Sequence, residues 1–536
     1  MTAADSSIPL PLSPAARPVF NPWVIALTVT MATFMEVLDT SIANVALPHI
    51  AGTLAVSPNE STWVLTSYLV ANAVVLPLSG WLSSVFGRKR YYMTCVLLFT
   101  ISSALCGMAT SLSQLVFFRV LQGMGGGGLQ PSEQAILVDT FPPAKRGMAM
   151  AIYTIAILVA PVLGPTLGGW ITDNYSWRWI FYINLPVGIL SMCLSGIVLQ
   201  DPPHLVAQRK ANKGKFRMDY IGLGLLAVGL GTLEVVLDKG QDDDWFGSRF
   251  ILILSVIAAF CLITVIFWEL RHPQPIVNLR LFANRNFGLC AVVIFFAFST
   301  LYASTVLLPQ MMQTLMGYAA TQAGMVLSPA GLATMVEMPI IGILLGRRLD
   351  PRLLIAGGLL IVATAGFWMS TLSLQMAPSN MIWARVVQVL GAGMMFVPLN
   401  TVAYRFMPRN QVNNATGLYA LVRNEGSSIG VALVTTLLQR HTQVHQAYLI
   451  ERINPLNNQA MDFIHRAGAA VQSSDAMAAT QQGLKTVYQL VQQQAALLSY
   501  MDMFRLFGVL AICVLPLVLL MKRSTPDKPG ESVPVH

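Results

Sequence analysis

Eight charged residues inside long apolar stretches of this sequence are candidates for chemistry, because burying a charge in such a stretch is energetically costly. They are Glu36, Asp39, Arg119, Glu133, Glu337, Arg385, Arg423 and Glu425. Charged side chains at bilayer depth mark ion or substrate pathways by default. Such carboxyl groups can bind protons, and arginine can pair with them. We identify no Ser-His-Asp set, no set of His, Cys and Asp residues spaced as in a catalytic metal centre, and no glycine-rich loop followed by Lys-Ser/Thr, so neither a membrane enzyme nor an ATP-driven pump is expected.

Asp39 and Arg119 are the pair that we expect to meet. At 1.5 Å per residue, Asp39 lies roughly 12 Å and Arg119 roughly 6–9 Å from the outer ends of their apolar stretches. An arginine beside a carboxyl group favours the charged form of that group. If Arg119 moved to another partner, the protonated form of Asp39 would be favoured instead. The pair is therefore either a proton switch or a fixed structural ion pair.

Glu36 lies three residues before Asp39, so both carboxyl groups face nearly the same side of one helix. Neighbouring carboxylates cannot both ionise cheaply in low dielectric, so one of them should hold a proton near neutral pH. We predict that Asp39 is the main protonation site. Glu36 is then a second proton site or a contact for a cationic cargo.

Six further residues are candidates to line a cargo cavity, with helix packing as the alternative. They are Tyr68, Gln130, Glu133, Glu337, Asn400 and Arg423. Glu133 and Glu337 are either further cargo or proton carboxyls or structural partners of a gate arginine. Arg423 is expected to face the carboxyl groups of the other half of the molecule or an anionic cargo.

The elements that must position these residues are membrane helices. The chain has 536 residues, of which 55% are hydrophobic and 11% charged, against roughly 25% charged in a soluble protein. This excludes a soluble fold, disorder and a coiled coil. Apolar runs of about 20 residues predict fourteen spans. They lie at 23–47, 60–86, 91–112, 115–139, 147–172, 179–199, 219–238, 249–270, 288–314, 321–345, 353–375, 380–406, 412–438 and 502–521. The predicted fold is an all-α polytopic membrane protein.

The distribution of basic residues tests this count. Of the 33 Lys and Arg residues, 22 fall on one side of the membrane and 8 on the other. The positive-inside rule then places both termini in the cytoplasm. The net charge of +9 thus reflects topology and attraction to anionic lipid headgroups, and we expect no nucleic-acid partner.

An internal repeat divides the chain. The segment 119–125, RVLQGMG, recurs 266 residues later as RVVQVLG at 385–391. Duplicated six-helix halves are typical of transporters, with the cargo site between the halves. We therefore predict a tail at 1–22, a first half at 23–200, a basic linker at 201–218, two inserted helices at 219–270, a second half at 288–521 and a tail at 522–536. A long outer loop at 440–500, in which stretches such as 477–498 are compatible with amphipathic helix, is either a docking surface or a spacer.

Four motifs follow one another in the first half. They are LDTSIANVALP at 38–48, GWLSSVFGRKR at 80–90, RVLQGMGGGG at 119–128 and APVLGPTLGG at 160–169. Together they resemble the major facilitator superfamily, specifically the fourteen-span drug:proton antiporter family of the EmrB/QacA type. The resemblance covers about 20–525, and it is closest to EmrB-like inner-membrane exporters, in which the outer loop before the last span is also long.

The resemblance implies roles for two of these motifs. The gating motif, which holds the inward side closed, is Gly80, Gly87, Arg88, Lys89 and Arg90. The antiporter motif, which marks exporters and lies where the halves rock, is Gly164, Pro165, Gly168 and Gly169. This chain departs from the family pattern at Ser84, which occupies the acidic position of the gating motif and cannot supply a carboxylate charge there. Simple positive-inside anchoring and generic small-residue packing are the alternatives.

The resemblance also implies a function. We expect proton-driven export of hydrophobic or amphipathic compounds across a bacterial inner membrane, powered by the proton motive force without a cofactor or metal. A periplasmic adaptor protein and an outer-membrane channel are the implied partners, with adaptor docking on 440–500. Two alternatives stay open at this stage. One is export of an anionic amphiphile such as a fatty acid or siderophore, and the other is a membrane sensor that transports nothing.

Overall fold

The computed structural model describes residues 20–202, 205–207, 219–273, 275–346, 349–405, 407–408, 411–454, 457–469 and 476–522. Throughout these ranges the chain forms helices joined by short connections, as the apolar runs predict. The predicted N-terminal tail, basic linker and C-terminal tail lie almost entirely outside the described residues.

Among the described residues, nine helices precede the predicted linker. They are α1 (Pro22–Leu54), α2 (Pro58–Ser61), α3 (Trp63–Phe86), α4 (Arg88–Met108), α5 (Leu112–Gly126), α6 (Leu129–Thr140), α7 (Pro143–Asn174), α8 (Trp179–Tyr182) and α9 (Asn184–Val198). The predicted insert consists of α10 (Tyr220–Lys239) and α11 (Arg249–Arg271). The remaining helices are α12 (Arg285–Met316), α13 (Ala320–Gly346), α14 (Pro351–Met369), α15 (Pro378–Arg405), α16 (Val412–Glu451), α17 (Asn458–Ala469) and α18 (Ala476–Leu519).

Within the described ranges, twelve helices are long and apolar enough to cross a membrane. Two of the fourteen predicted spans are not among them. The span at 115–139 is divided into α5 and α6, and the span at 412–438 belongs to α16, which carries many polar residues. The count of fourteen and the cytoplasmic termini stay predictions.

The division of α5 from α6 follows from a close approach of neighbouring helices at a run of glycines. A Cβ atom on Gly127 would lie 2.7 Å from the carbonyl oxygen of Asn72, and one on Gly128 would overlap Cys95 Sγ. Only residues without side chains let α3 and α4 pack this closely against the break. The glycine run therefore allows α5 and α6 to pack closely against α3 and α4.

The two halves contact each other along α7 and α13. Near one end of this contact, a Cβ atom on Gly342 would lie 2.9 Å from Met148 Sδ. Near the other end, Thr166 Oγ1 lies 3.3 Å from Ser328 Oγ. The two helices therefore touch over most of their length, and small residues allow it.

The inserted helix α10 lies against both halves. Its Gly231 faces Val70 of α3, where an added Cβ atom would lie 3.4 Å from Val70 Cγ1. On α16, Ser428 donates a hydrogen bond of 3.2 Å to Glu234 of α10. The insert thus covers the seam between α3 and α16.

The segment predicted as a long outer loop, 440–500, is largely helical. Helix α16 continues to Glu451, α17 follows, and α18 starts at Ala476. The segment is rich in Gln and Ala, which favour helix, and polarity without Pro or Gly clusters does not break one. A Cβ atom on Gly483 would overlap the backbone of Ile464, so α17 and α18 pack closely.

Candidate functional site

Asp39 and Arg119 form a buried ion pair inside the first half. Arg119 Nη1 donates to Asp39 Oδ2 at 2.6 Å. The other carboxylate oxygen accepts from Gln122 Nε2 at 2.9 Å and from Asn184 Nδ2 at 2.7 Å. Both side chains are almost completely buried. Three donors converge on the carboxylate, so both of its oxygens have hydrogen-bond partners in this arrangement.

The surroundings of Arg119 hold its guanidinium group in one position. Nε donates to the carbonyl oxygen of Val64 at 3.0 Å, and Nη1 also donates to Gln122 at 2.9 Å. The guanidinium carbon lies 4.4 Å from the centre of the Tyr68 ring and 5.6 Å from that of Phe181. Removing Asp39 would therefore strand a desolvated positive charge.

The second copy of the repeat keeps the arginine and the glutamine but not the carboxylate. Arg385 Nη1 donates to Gln388 at 2.6 Å and to Ser304 at 2.7 Å, and Nη2 donates to Thr305 at 2.5 Å. Thr305 follows Asp39 by the same 266 residues that separate Arg385 from Arg119. The two halves thus differ in charge at equivalent positions, and the carboxylate belongs to the first half.

Glu36 lies one turn before Asp39 but has different partners. Its Oε1 accepts from the Tyr68 hydroxyl at 3.0 Å and from Asn72 at 3.3 Å, and its Oε2 accepts from Gln130 at 2.6 Å. These donors are neutral. The sequence placed Tyr68 and Gln130 in a cargo cavity, and the structure brings both of them to this carboxyl group.

Gln130 connects Glu36 to the second half of the molecule. Its side-chain oxygen accepts a hydrogen bond from Arg423 Nη2 on α16. Arg423 Nη1 also donates to the Tyr153 hydroxyl at 2.6 Å, and its guanidinium carbon lies 5.4 Å from the Phe298 ring centre. One amide therefore joins a carboxyl group of α1 to an arginine of α16 across the interface between the halves.

Among the described residues, three other predicted cavity residues form no hydrogen bond with this cluster, although Glu133 interacts electrostatically with Glu36. Glu133 accepts from Thr30, and its second oxygen is buried without a hydrogen-bond partner among the described residues. Asn400 is buried and donates to the carbonyl oxygen of its own helix at Phe396, 3.0 Å away. Glu337 lies where α13 meets Gly393 of α15. Within the part of the chain that the structure describes, neither glutamate forms an ion pair with an arginine.

The gating motif joins the two halves through Arg88. Arg88 Nη1 donates to Asp139 at 2.6 Å, and Nη2 donates to Asn413 of α16 at 2.5 Å. Ser84 donates to the carbonyl oxygen of Trp81 in its own helix, 2.7 Å away. Asp139 thus supplies the carboxylate that position 84 lacks.

The rest of this motif shapes the same contact. Gly80 faces Asn414, where a Cβ atom would lie 2.6 Å from the side-chain oxygen, and Gly87 has a positive φ of 92° that ends α3. Lys89 donates to the carbonyl oxygen of Gly196 at 2.6 Å. Arg90 is exposed. Glycine is required at both positions, by close approach and by conformation respectively.

The antiporter motif packs mainly within the first half. A Cβ atom on Gly164 would overlap Ser41 Oγ of α1, and one on Gly168 would lie 3.1 Å from Ile42 Cγ2. Pro165, in contrast, lies 3.5 Å from the position of a Cβ atom on Gly324 in the second half. The motif, whose Gly169 is also buried, therefore holds α7 between α1 and α13.

Sequence reasoning missed a second pair of carboxyl groups. Glu234 of α10 is 2% exposed and interacts electrostatically with Glu425 of α16. Both carboxyl oxygens of Glu425 are buried without a hydrogen-bond partner among the described residues. Glu234 lies within a predicted span but was not selected as a candidate. The other candidate carboxyl groups were selected because they lie in apolar runs, and the same criterion applies to Glu234.

Comparisons with known proteins agree with this architecture. Residues 29–431 match the model of the Major Facilitator Superfamily. The chain is 39% identical to the multidrug export protein EmrB of Haemophilus influenzae, over 83% of this chain and 86% of that protein. It is 37% identical to the fatty acid resistance protein FarB of Neisseria gonorrhoeae, over 93% and 96% respectively.

The fold is also that of solved transporter structures. A double tryptophan mutant of XylE superposes with a TM-score of 0.61 at 13% identity, covering 94% of this chain and 97% of that one. On the family match, the identity to EmrB and the shared fold, the chain belongs to the Major Facilitator Superfamily.

Proposed function

We propose that this protein exports hydrophobic or amphipathic compounds across the bacterial inner membrane in exchange for protons, by alternating access between the two halves. The observation that carries the proposal is the buried Asp39–Arg119 pair, with Glu36 one turn away and linked through Gln130 to Arg423 of the other half. Its relatives named as multidrug export proteins support the same function.

The proton step follows from the charge balance at Asp39. In the present arrangement, Arg119 neutralises the carboxylate in a site without water-exposed surface. A proton arriving on Asp39 cancels the carboxylate charge and weakens the hold on Arg119, which then needs another partner. A buried arginine that changes partners moves its helix, so protonation and conformation are coupled.

The link through Gln130 carries this change to the second half. The described donors to Glu36 are all neutral, and a buried carboxylate without a cation is costly, so we propose that Glu36 holds a second proton in this state. Deprotonation of Glu36 would draw Arg423 toward it. Either change alters a contact between α1 and α16 and favours one of the two arrangements of the halves.

Proton release in everted membrane vesicles tests the proposal. A pH-gradient dye reports recovery when candidate hydrophobic cations are added to energised vesicles. We expect cargo-dependent recovery from the intact protein and none from Asp39→Asn. Thr305→Val, at the equivalent position of the second half, is the matched control and should keep the recovery.

The other outcomes each change the assignment. Recovery that survives in Asp39→Asn would move the coupling proton to Glu36, Glu133 or Glu337. An absence of recovery with every compound, from folded protein, would favour a sensor without transport. Loss of recovery in Thr305→Val as well would show that the assay reports damage to either arginine site.

An anionic amphiphile is the second candidate cargo. The described contacts of Arg423 are to Gln130, Tyr153 and the ring of Phe298, and none of these groups is a carboxylate. A buried cation at the interface between the halves suits an anionic headgroup, and one relative is named a fatty acid resistance protein. Competition between a hydrophobic cation and a long-chain fatty acid separates the two cargoes. Arg423→Gln should abolish recovery with the fatty acid and only weaken it with the cation, because Arg423 also belongs to the link that couples Glu36 to the second half.

We also propose that a periplasmic adaptor protein docks on the helical extension at 440–500 and that an outer-membrane channel completes the export path. The extension leaves large apolar side chains exposed, among them Tyr448, Phe463 and Leu484. Exposed apolar groups of this size mark interaction sites when they cluster. Site-specific photocrosslinking from Tyr448 tests this docking, with a lipid-facing position on α11 such as Phe260 as the control.

A further inference from the structure

Two histidines and an aspartate converge where α16 and α18 leave the apolar part of the molecule. His441 and His445 are four residues apart on α16, so they share one face of that helix. Asp502 lies opposite on α18. Its Oδ2 is 3.0 Å from His441 Nδ1 and 2.7 Å from His445 Nε2. The three atoms all lie within 4.8 Å of one another.

We propose that His441, His445 and Asp502 form a binding site for a divalent transition-metal ion, for which zinc is the best match. Imidazole nitrogens and a carboxylate oxygen are ligands that zinc prefers. Bonds of about 2.0–2.1 Å in tetrahedral geometry place neighbouring ligand atoms about 3.3 Å apart. The present nitrogen–oxygen separations are shorter than that spacing by about 0.3 Å for His441 and about 0.6 Å for His445.

The surroundings of the site suit a bound cation. The side chains of His441, His445 and Asp502 are 43%, 26% and 27% exposed, so an ion can enter and water can fill the remaining coordination position. Arg505 approaches the other oxygen of Asp502, with Nη1 3.8 Å from Oδ1. Arg505, which is 61% exposed, approaches Asp502 from the side of Oδ1, so Oδ2 remains available to the two histidines.

A purely ionic cluster is the competing explanation for this geometry. In that case each imidazole must donate a proton to the same oxygen of Asp502, and no metal would bind. The sequence alone predicted no metal site, because Asp502 follows the two histidines by 61 and 57 residues and only the fold brings them together. A His-x₃-His spacing on a helix was the available signal.

Metal binding would have a mechanical consequence that is independent of any transport role. The ion would connect α16 to α18 at the base of the extension at 440–500, closing a segment of about sixty residues. A crosslink of this kind restricts the separation of the two helices and stabilises the folded extension. Zinc should therefore raise the thermal stability of the protein.

Titration of zinc chloride into the purified full-length protein tests the site. The protein is prepared in detergent with a tag that lacks histidine, and it is treated with a chelator and desalted first. We expect one zinc ion per chain by calorimetry and a higher melting temperature that chelator reverses. His445→Ala should weaken binding at least about tenfold and abolish the stabilisation.

The controls separate this site from adventitious binding. His49→Ala removes a histidine that lies 3.9 Å from Asp173, a comparable pair elsewhere, and should leave zinc binding unchanged. His441→Ala is the second variant in case His445→Ala does not fold, as judged by gel filtration without metal. Absence of stoichiometric binding would overturn the proposal, and so would binding of equal strength in the folded histidine variant.

Discussion

Replacing Asp39 with asparagine should destabilise the protein much more than a comparable change in the second half. The asparagine would keep the shape of the side chain and one acceptor oxygen but would leave Arg119 charged in a site where it is fully buried. Breaking a buried ion pair by removing one partner costs about 3–5 kcal/mol. Gln122 and the Val64 carbonyl still hold Arg119, so we expect the lower end, about 3 kcal/mol.

The second copy of the repeat supplies the comparison. Thr305→Val removes one neutral hydroxyl acceptor from Arg385. A hydrogen bond to a charged group contributes about 1.5–3 kcal/mol, and we expect the lower end, about 1.5 kcal/mol, because Gln388 and Ser304 still hold Arg385. The double variant Asp39→Asn with Arg119→Gln removes the stranded charge. It should therefore recover about 2 kcal/mol relative to the sum of the single changes, within the range of measured couplings between contacting residues.

Equilibrium unfolding in mixed micelles, by titration with a denaturing detergent, measures these free energies. The cycle of wild type, two single variants and one double variant gives the coupling between Asp39 and Arg119 directly. If the two single changes were simply additive, or if Asp39→Asn cost no more than Thr305→Val, the pair would not carry the compensated charge that the mechanism requires.

Three further predictions concern the helix contacts. Arg88→Gln loses the ion pair with Asp139 and a bond across the halves, so we expect a loss of about 3–5 kcal/mol in unfolding free energy, by the same titration. Gly80→Val places side-chain atoms where the other half lies 2.6 Å away, and cells carrying this folded variant should accumulate drug like cells without the protein. Gly164→Val overpacks α1 and should cost about 1–3 kcal/mol, seen as a lower melting temperature. Gly224→Val, where nothing lies within 4 Å, is its control and should melt like wild type.

The fold class and the ion pair of the first half could be predicted from the sequence. Apolar runs of spanning length determine helices, because a backbone in lipid must satisfy its own hydrogen bonds. The depths of Asp39 and Arg119 in the membrane then follow from the rise per residue. Two opposite charges buried at similar depth have few partners available other than each other. The family resemblance rested on local motifs, and the comparisons confirm it.

Other features depended on which way each helix faces, and the sequence does not determine this. In a soluble helix an apolar stripe indicates the buried face, but a helix in lipid is apolar on all sides. Glu234 therefore gave no sign that it faces Glu425, and Asp139 gave none that it would replace the missing acid at Ser84. The polar outer segment at 440–500 was predicted as a loop, with amphipathic helix allowed only in stretches such as 477–498, because low hydropathy ends a membrane span without ending the helix.

The sequence by itself determined that this is a polytopic helical membrane protein with a repeated architecture. It also determined which opposite charges lie at similar depth in the bilayer and therefore pair. Only the tertiary structure decided that Arg385 is held by hydroxyl and amide groups while its counterpart Arg119 holds a carboxylate. It also decided that one amide, Gln130, joins the two halves, and that Asp502 reaches two histidines. The physical reason is that hydropathy fixes where helices lie in depth, whereas rotation and neighbours are set by close packing of small residues between them.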